Sequence, residues 1–389
     1  MLLMYNSKIE VIYLRNASPL KNGENMTSNL ASYPKISVLI PCHNIEKLTY
    51  FSLISVLKSR YKNIEILLLN DYSTDNTINI LNEFAKLDPR IKVIDLKNHH
   101  HHVGIGFNRH FLIEKSTGEY FIFIDDDDRM LTSALGNFEK VLREGDYDLI
   151  ASDFKITYEL LPHMRISVPK VPFHVDFNFN DPQEFFLNSS LYSWGKLIKK
   201  QYYLDTVNKF ANKFSGNIFE DVRFMYFLFL NKPKFKFINK RLFTYQIRPN
   251  SLSSSWNRID EKIKILFDAY TEAILNIKKY NLIENDNILS KICQTFYIHL
   301  VFILYANSII LKKEMRTKFS KLSKLHLESF CSRFNIDPTF KHNLNRSSCQ
   351  IYNKAHNKFF NNTFLPKRTK SRKKKDNKAD YVDGLNFNI

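Results

Sequence analysis

At 389 residues, 44% of them hydrophobic and 25% charged, the chain has room for one large domain and an accessory region, and its composition excludes a largely disordered protein. The formal net charge of +18 draws it to something anionic, whether a nucleotide, a phosphorylated molecule, a membrane surface or nucleic acid, although a lysine-rich coding habit accounts for the surplus equally well. Its four cysteines, Cys42, Cys293, Cys331 and Cys349, are scattered without a CxxC pair, which excludes a structural zinc site and a disulfide framework.

In chain order, Met1 to Glu10 lacks the basic-then-apolar order of a secretory signal, so the chain is expected in the cytoplasm. Residues 1–34, with Pro19 and Gly23 and no sustained period, read as an N-terminal extension. From Lys35 a pattern sets in. Ile36 to Ile40, Ile64 to Leu69, Lys92 to Leu96 and Tyr120 to Ile124 are short apolar runs of the kind that form strands buried on both faces. Between them, Lys47 to Lys58, Asn76 to Lys86 and Phe107 to Lys115 space apolar residues by three and four, as helices do. Asp75 is placed to cap the second helix, and Gly118 to end the third. Alternating strands and helices imply an α/β fold, a mostly parallel sheet flanked by helices.

Further on, from about Asp260 to Leu322, the pattern turns helical. The apolar stretches Phe224 to Leu230 and Ile298 to Leu304 fall well short of the roughly 20 residues that span a bilayer, so no transmembrane helix is expected. Between Lys367 and Lys378 eight basic residues accompany the single acid Asp376, a composition of a mobile tail.

Ligands of an open parallel sheet collect at the carboxyl ends of its strands. Three such ends are polar here: Pro41-Cys42-His43-Asn44, Asn70-Asp71-Tyr72-Ser73-Thr74-Asp75 and Asp125-Asp126-Asp127-Asp128. Four consecutive carboxylates repel one another unless something positive compensates. A hard divalent cation is the natural compensator, since Mg2+ or Mn2+ takes one or two carboxylates and completes its shell with water and phosphate oxygens. The bland alternative is a solvated acidic turn. His99 to His102 cannot all face one ion and read as a loop. Gly104-Ile105-Gly106 lacks the third glycine and following acid of a dinucleotide fingerprint.

These motifs, taken together, resemble a known family. The segment from Ile36 to Met130 is similar to the donor half of the family 2 glycosyltransferases of the GT-A fold. Ile36 to Asn44 resembles the family's opening strand and Pro-x-Tyr-Asn turn, with His43 where tyrosine is usual. Leu69 to Thr77 resembles its Asp-Asp-Gly-Ser-Thr-Asp signature, with Asn70 and Tyr72 as departures. Gly118-Glu119-Tyr120 followed by Phe123 to Asp128 resembles its Gly-Glu-Tyr strand and Asp-x-Asp. Trp194-Gly195-Lys196-Leu197 and Phe219-Glu220-Asp221-Val222 are similar to its Trp-x-Lys-Leu and Glu-Asp segments, which carries the likeness to about Ser255.

The resemblance implies roles. Pro41, His43 and Asp71, with Asn44 and Asn70 beside them, would hold a uracil; Asp125 and Asp126 would lie near the ribose; Asp127, with Asp125, would bind the metal. Arg109 falls on an arginine of the family and would contact phosphate or base. Asp221, with Glu220 second, would be the catalytic base. Trp194, Lys196, Arg248 and Ser251 would touch donor or acceptor. A helix start favours carboxylates in any protein, so Glu220 and Asp221 also have a purely structural reading.

The expected architecture is thus an extension (1–34), a GT-A domain (35–255, donor half 35–130 and acceptor half 131–255), a helical accessory region (256–345) and a basic tail (346–389). The expected activity is inverting, metal-dependent transfer of a hexose or N-acetylhexosamine from a UDP-sugar to a glycan or glycolipid, in bacterial surface-polysaccharide or lipooligosaccharide synthesis. Mn2+ or Mg2+ is the expected cofactor. The tail is expected to meet an anionic membrane surface at the inner face of the cytoplasmic membrane; nucleic acid is not an expected partner. Two rivals are a nucleotide-binding module without transfer activity, against which the Glu220-Asp221 pair argues, and a nucleotidyltransferase, which would bring a glycine-rich phosphate loop that Pro41 to Asn44 is not.

Overall fold

The computed structural model describes residues 33–46, 49–59, 61–99, 104–161, 164–168, 178, 180–188, 191–247, 256, 258–311, 313–338, 352–354 and 357–360. The extension before Tyr33, Arg248, Ser251, Cys349, His100 to His102 and the basic run 367–378 lie outside them.

The strand β1 (Ile36–Cys42) is buried at every position because it has a parallel neighbour on each edge, β2 (Ile64–Asn70) and β4 (Tyr120–Phe123). β3 (Ile91–Asp95) continues the parallel set beyond β2. Crossover helices α1 (Thr49–Leu57), α2 (Thr77–Leu87) and α3 (Ile105–Lys115) connect these strands, as the alternating pattern predicts. The N-cap position of α2 is Asn76 rather than the expected Asp75, but Asp75 still serves the helix start, its Oδ1 accepting from Thr77 N at 3.0 Å. Gly118 serves a different purpose from the one expected. α3 already ends at Lys115, and Gly118 is needed because a Cβ there would lie 2.5 Å from Ser37 Oγ on β1.

The sheet then turns mixed. β5 (Arg129–Met130), β6 (Leu149–Leu161), β7 (Met164–Val168), β8 (Lys196–Lys199) and β9 (Phe235–Ile247) follow in the chain, and the sheet order is β3-β2-β1-β4-β8-β6-β9-β5, with β7 paired to β6. β8 runs antiparallel between β4 and β6, whereas β6 and β9 are parallel. Helices α4 (Ala134–Glu144), α5 (Pro182–Asn188), α6 (Lys200–Phe210) and α7 (Glu220–Leu230) accompany this part.

The expected helical region follows as α8 (Ile259–Lys279), α9 (Asp286–Ile310) and α10 (Lys313–Phe334). It shares one apolar core with the sheet domain. α8 docks on α7 through an ion pair of Arg223 with Glu272 and a hydrogen bond from Asn276 Nδ2 to Tyr226 Oη of 2.8 Å. Unlike the shorter apolar run within it, Asp286–Ser308 is by length and composition long and apolar enough to cross a membrane; 56% of its 18-residue apolar window is buried in the fold, where Phe296 packs on Phe186 and Tyr270.

Candidate active site

In-register pairing sets the site. Cys42 lies beside Asn70 and Leu39 beside Phe123, so the three polar loops leave the sheet at the same edge. Asp71 N donates to Cys42 O at 2.8 Å, which closes the first two loops on each other. Asn44 and Tyr72 both adopt left-handed backbone, at φ 53° and 54°. Asparagine tolerates that region and tyrosine pays strain, the reason glycine is usual at the second position. The Asn44 side chain accepts from Thr74 N at 2.7 Å, and Asn44 N donates to Ser73 Oγ at 3.0 Å.

The His43 ring is exposed and oriented. Nδ1 lies 2.5 Å from the Asp71 carbonyl oxygen, which can only accept, so Nδ1 carries the proton and Nε2 accepts from Asn44 Nδ2 at 3.1 Å. A flat, fixed ring at a crevice mouth can pack on a nucleobase. The Asp71 carboxylate is buried and accepts from Asn108 Nδ2 at 2.7 Å. Pro41 is the penultimate residue of β1, and Asn70 turns to Asp95 on β3, donating at 3.1 Å.

Asn108 and Arg109 belong to the first turns of α3, which the two glycines bring close to the loop before α7. A Cβ on Gly106 would lie 2.5 Å from the Ser215 backbone, and one on Gly104 would strike Asn217. Gly106 N instead donates to Gly216 O at 2.9 Å. Close backbone approach is thus what Gly104-Ile105-Gly106 provides.

That approach lets Arg109, 3% exposed, join two parts of the site. Its Nη2 donates to Asp125 Oδ1 at 2.8 Å and its Nε to Glu220 Oε1 at 3.0 Å, while the guanidinium lies 5.0 Å from the Phe123 ring centroid. Burial works against its charge, but Asp125, Glu220 and Asp221 together hold it firmly protonated. Burial also pushes the Glu220 carboxyl up, yet the Arg109 charge and a hydrogen bond with Asp221 outweigh this and leave it below the usual carboxylate range. Asp221 goes the other way: burial, then the Glu220 charge and their shared hydrogen bond, raise it well above that range. Of the two, Asp221 is thus the more basic carboxylate and Glu220 the one kept ionised. Ser193 N donates to Asp221 Oδ2 at 3.2 Å, and Oδ1 is buried without a hydrogen-bond partner.

The four aspartates have separate surroundings. Asp125 is held by Arg109, and burial raises its carboxyl. Asp126 Oδ2 accepts from His43 N at 3.2 Å, which ties the run to the first loop. Asp127 is half-buried and acts electrostatically on both Asp125 and Asp128. Asp128 is buried, accepts from Gln246 N at 2.9 Å, and has its other oxygen unpartnered; burial and then the charge of Asp127 raise it well above the usual range. A run of oxygen-only donors suits a hard divalent cation, with Asp127 and Asp125 as the residues that could hold it. Among the described residues no group of three or more His, Cys, Asp or Glu side chains is arranged to hold a metal ion by itself.

Trp194 and Lys196 are placed inside the fold. Trp194 is stacked among aromatic rings, and Lys196 Nζ donates to the Tyr192 carbonyl at 2.6 Å. Both support the loop that faces Asp221. Asn108, Ser193 and Gln246 are site residues that the motifs did not single out, whereas Ser73 lies within the second polar loop. Asn108 had a signal in its position beside Arg109.

Residues 37–194 match the model of the family described as Glycosyl transferase family 2. "Glycosyltransferase GlyA" of Streptococcus pneumoniae is 28% identical over 249 residues, 62% of this chain; the match spans only about a third, 34%, of that relative. "Processive diacylglycerol beta-glycosyltransferase" of Mycoplasma pneumoniae is 27% identical over 308 residues, 75% of this chain and 86% of that protein. The crystal structure of S. aureus TarS in complex with UDP-GlcNAc superposes with a TM-score of 0.57 at 19% identity, covering 85% of this chain and 89% of that one, which places the fold with it.

Proposed function

We propose that this chain, which carries a family 2 glycosyltransferase domain of GT-A fold, transfers a hexose or N-acetylhexosamine from a UDP-sugar to a hydroxyl of a glycan or glycolipid, with inversion. The observation that carries the reading is the Arg109 bridge, which joins the aspartate run to the Glu220-Asp221 pair in one ion network. Donor and proton acceptor would then face the same anomeric carbon. The UDP-GlcNAc bound in TarS supports the uridine donor, and the diacylglycerol in the name of the Mycoplasma relative supports a lipid-linked acceptor.

In this reading the His43 ring packs on the uracil, and Asp71, fixed by Asn108, accepts from its imide N–H. Asp221 takes the proton of the attacking hydroxyl, because a raised carboxyl is the better proton acceptor of the pair. Glu220, kept ionised by Arg109, holds Asp221 in place. Asp127 and Asp125 would hold a Mg2+ or Mn2+, whose charge would stabilise a departing diphosphate. Single displacement in line, without a covalent intermediate, inverts the anomeric centre. A surplus charge of +18 supports work at an anionic membrane surface, as surface-polysaccharide or lipooligosaccharide assembly requires.

The test is hydrolysis of a panel of UDP-sugars with Mn2+, with Mg2+ and with EDTA, for the wild type and Asp127→Ala. The reading requires turnover of at least one UDP-sugar that EDTA and the substitution both abolish. Turnover untouched by either removes the metal from the proposal, and no UDP affinity by calorimetry removes the donor.

A further inference from the structure

A cluster of aromatic side chains adjoins both the aspartate run and the Glu220-Asp221 pair. Tyr192 and Trp194 stack with centroids 4.7 Å apart and planes 13° apart, and Tyr245 leans on both at 5.2 and 5.3 Å. Phe154 meets Trp194 edge-on at 4.9 Å. The backbone ties this stack to both ends of the chemistry. Ser193, between the two stacked residues, donates from its N–H to Asp221, and Gln246, next to Tyr245, donates to Asp128. Tyr270 lies near enough to act electrostatically with both Tyr192 and Asp221. Trp194 is buried, while Tyr192 and Tyr245 are half-buried.

We propose that Tyr192 and Tyr245 form the acceptor subsite and that its occupant is a sugar ring carrying the attacking hydroxyl; this rests on the glycosyl-transfer reading above. A hydroxyl that gives its proton to Asp221 must come within about 2.6–3.2 Å of that carboxylate, which puts the group bearing it against residues 192–194. A pyranose has an apolar C–H face rimmed by hydroxyls. Tyrosine rings match it, with a flat apolar face and a hydroxyl at the edge. An acyl chain is matched poorly, since it brings no hydroxyl to the Asp221 oxygen that is buried without a partner. Trp194, stacked beneath Tyr192, keeps the ring from turning.

The experiment offers the holoenzyme three octyl β-pyranosides, glucoside, galactoside and N-acetylglucosaminide, against diacylglycerol in mixed micelles, for wild type, Tyr192→Leu and Tyr192→Phe. At least one pyranoside should accept sugar. Tyr192→Leu should raise its KM about tenfold, what losing roughly 1.4 kcal/mol of contact does, with kcat moved less than about threefold. Tyr192→Phe, which keeps the ring, should stay near wild type. Transfer to diacylglycerol alone overturns the inference, as does an unchanged pyranoside KM in Tyr192→Leu. UDP calorimetry separates the levels: intact UDP binding without pyranoside transfer sinks the sugar subsite alone, whereas no UDP binding sinks the wider reading and this one with it.

Discussion

Arg109 Nε lies 3.0 Å from Glu220 Oε1, a contact across 111 residues of sequence between α3 and the first residue of α7. The same guanidinium reaches Asp125 at 2.8 Å. Removing it leaves two acids facing a buried site uncompensated. Arg109→Ala is expected to cost about 3–5 kcal/mol of stability, as broken buried ion pairs do. Arg109→Lys, with one ammonium for two carboxylates, should fold better than the alanine variant yet lose turnover. Urea unfolding with UDP-sugar hydrolysis checks both. An alanine variant as stable as wild type would show the bridge to be incidental.

The split between Glu220 and Asp221 makes a pH prediction. As the proposed base, Asp221 would act only when ionised, and its carboxyl is raised, so kcat/KM should climb with pH through an apparent value above the ordinary carboxylate range. Glu220→Gln removes the negative charge and the hydrogen bond that favour the proton on Asp221. Its acid limb should move to lower pH. Asp221→Asn should lower turnover at least about a hundredfold while UDP still binds. A limb that stays put in Glu220→Gln would show that Asp221 does not set it.

Much of this was legible beforehand, for physical reasons that differ by element. β1, β2 and β4 are buried on both faces, so their sequences are nearly all apolar and their polar ends stand out. β8 carried no such sign: Lys196 and Lys199 sit in a four-residue strand that only its neighbours define as antiparallel. Motifs brought Arg109, Asp125 and Glu220 to notice separately, but one-dimensional spacing does not show that a guanidinium joins them. Lys196 reads as a polar contact because lysines are rarely buried, whereas its charge is taken up by the Tyr192 carbonyl. The glycines at 104 and 106 resemble a nucleotide loop for the same reason that they occur here, close backbone approach, although the approaching group is the chain itself.

That approach is testable with a matched pair. Gly106→Ala puts a Cβ into the Ser215 backbone, so α3 must shift off the loop before α7 at a cost of about 1–3 kcal/mol. Because Arg109 rides on α3, kcat should fall along with stability. Gly136 on α4 has nothing within 4 Å of its Cβ position, and Gly136→Ala should stabilise by about 0.5–1 kcal/mol through helix propensity. Thermal melts with single-donor kinetics distinguish the two. A tolerated Gly106→Ala would mean that the loop yields more easily than backbone contact implies.

Glu65 provides a stability test remote from the catalytic residues. Its Oε1 accepts from Ser37 Oγ at 2.6 Å and Thr117 N at 2.5 Å, and its Oε2 from Lys92 and Lys35 at 3.2 and 3.3 Å. Burial pushes this carboxyl up, but the Ser37, Thr117 and Lys92 hydrogen bonds prevail and hold it at about 2. A folded value below the unfolded one, roughly 4.3, means that the unfolded chain binds the proton more readily. The contribution is therefore complete above about pH 4.3 and lost as pH falls toward about 2. Glu65→Gln keeps the shape but not the charge, and should cost about 1–3 kcal/mol at neutral pH. Its melting temperature should also fall less steeply than that of wild type across that acid window. Calorimetric melts at closely spaced pH values measure both slopes. Parallel slopes would show that the proton is taken up by other carboxylates, and that Ser37 and Thr117 hold a neutral Glu65 as well as a charged one.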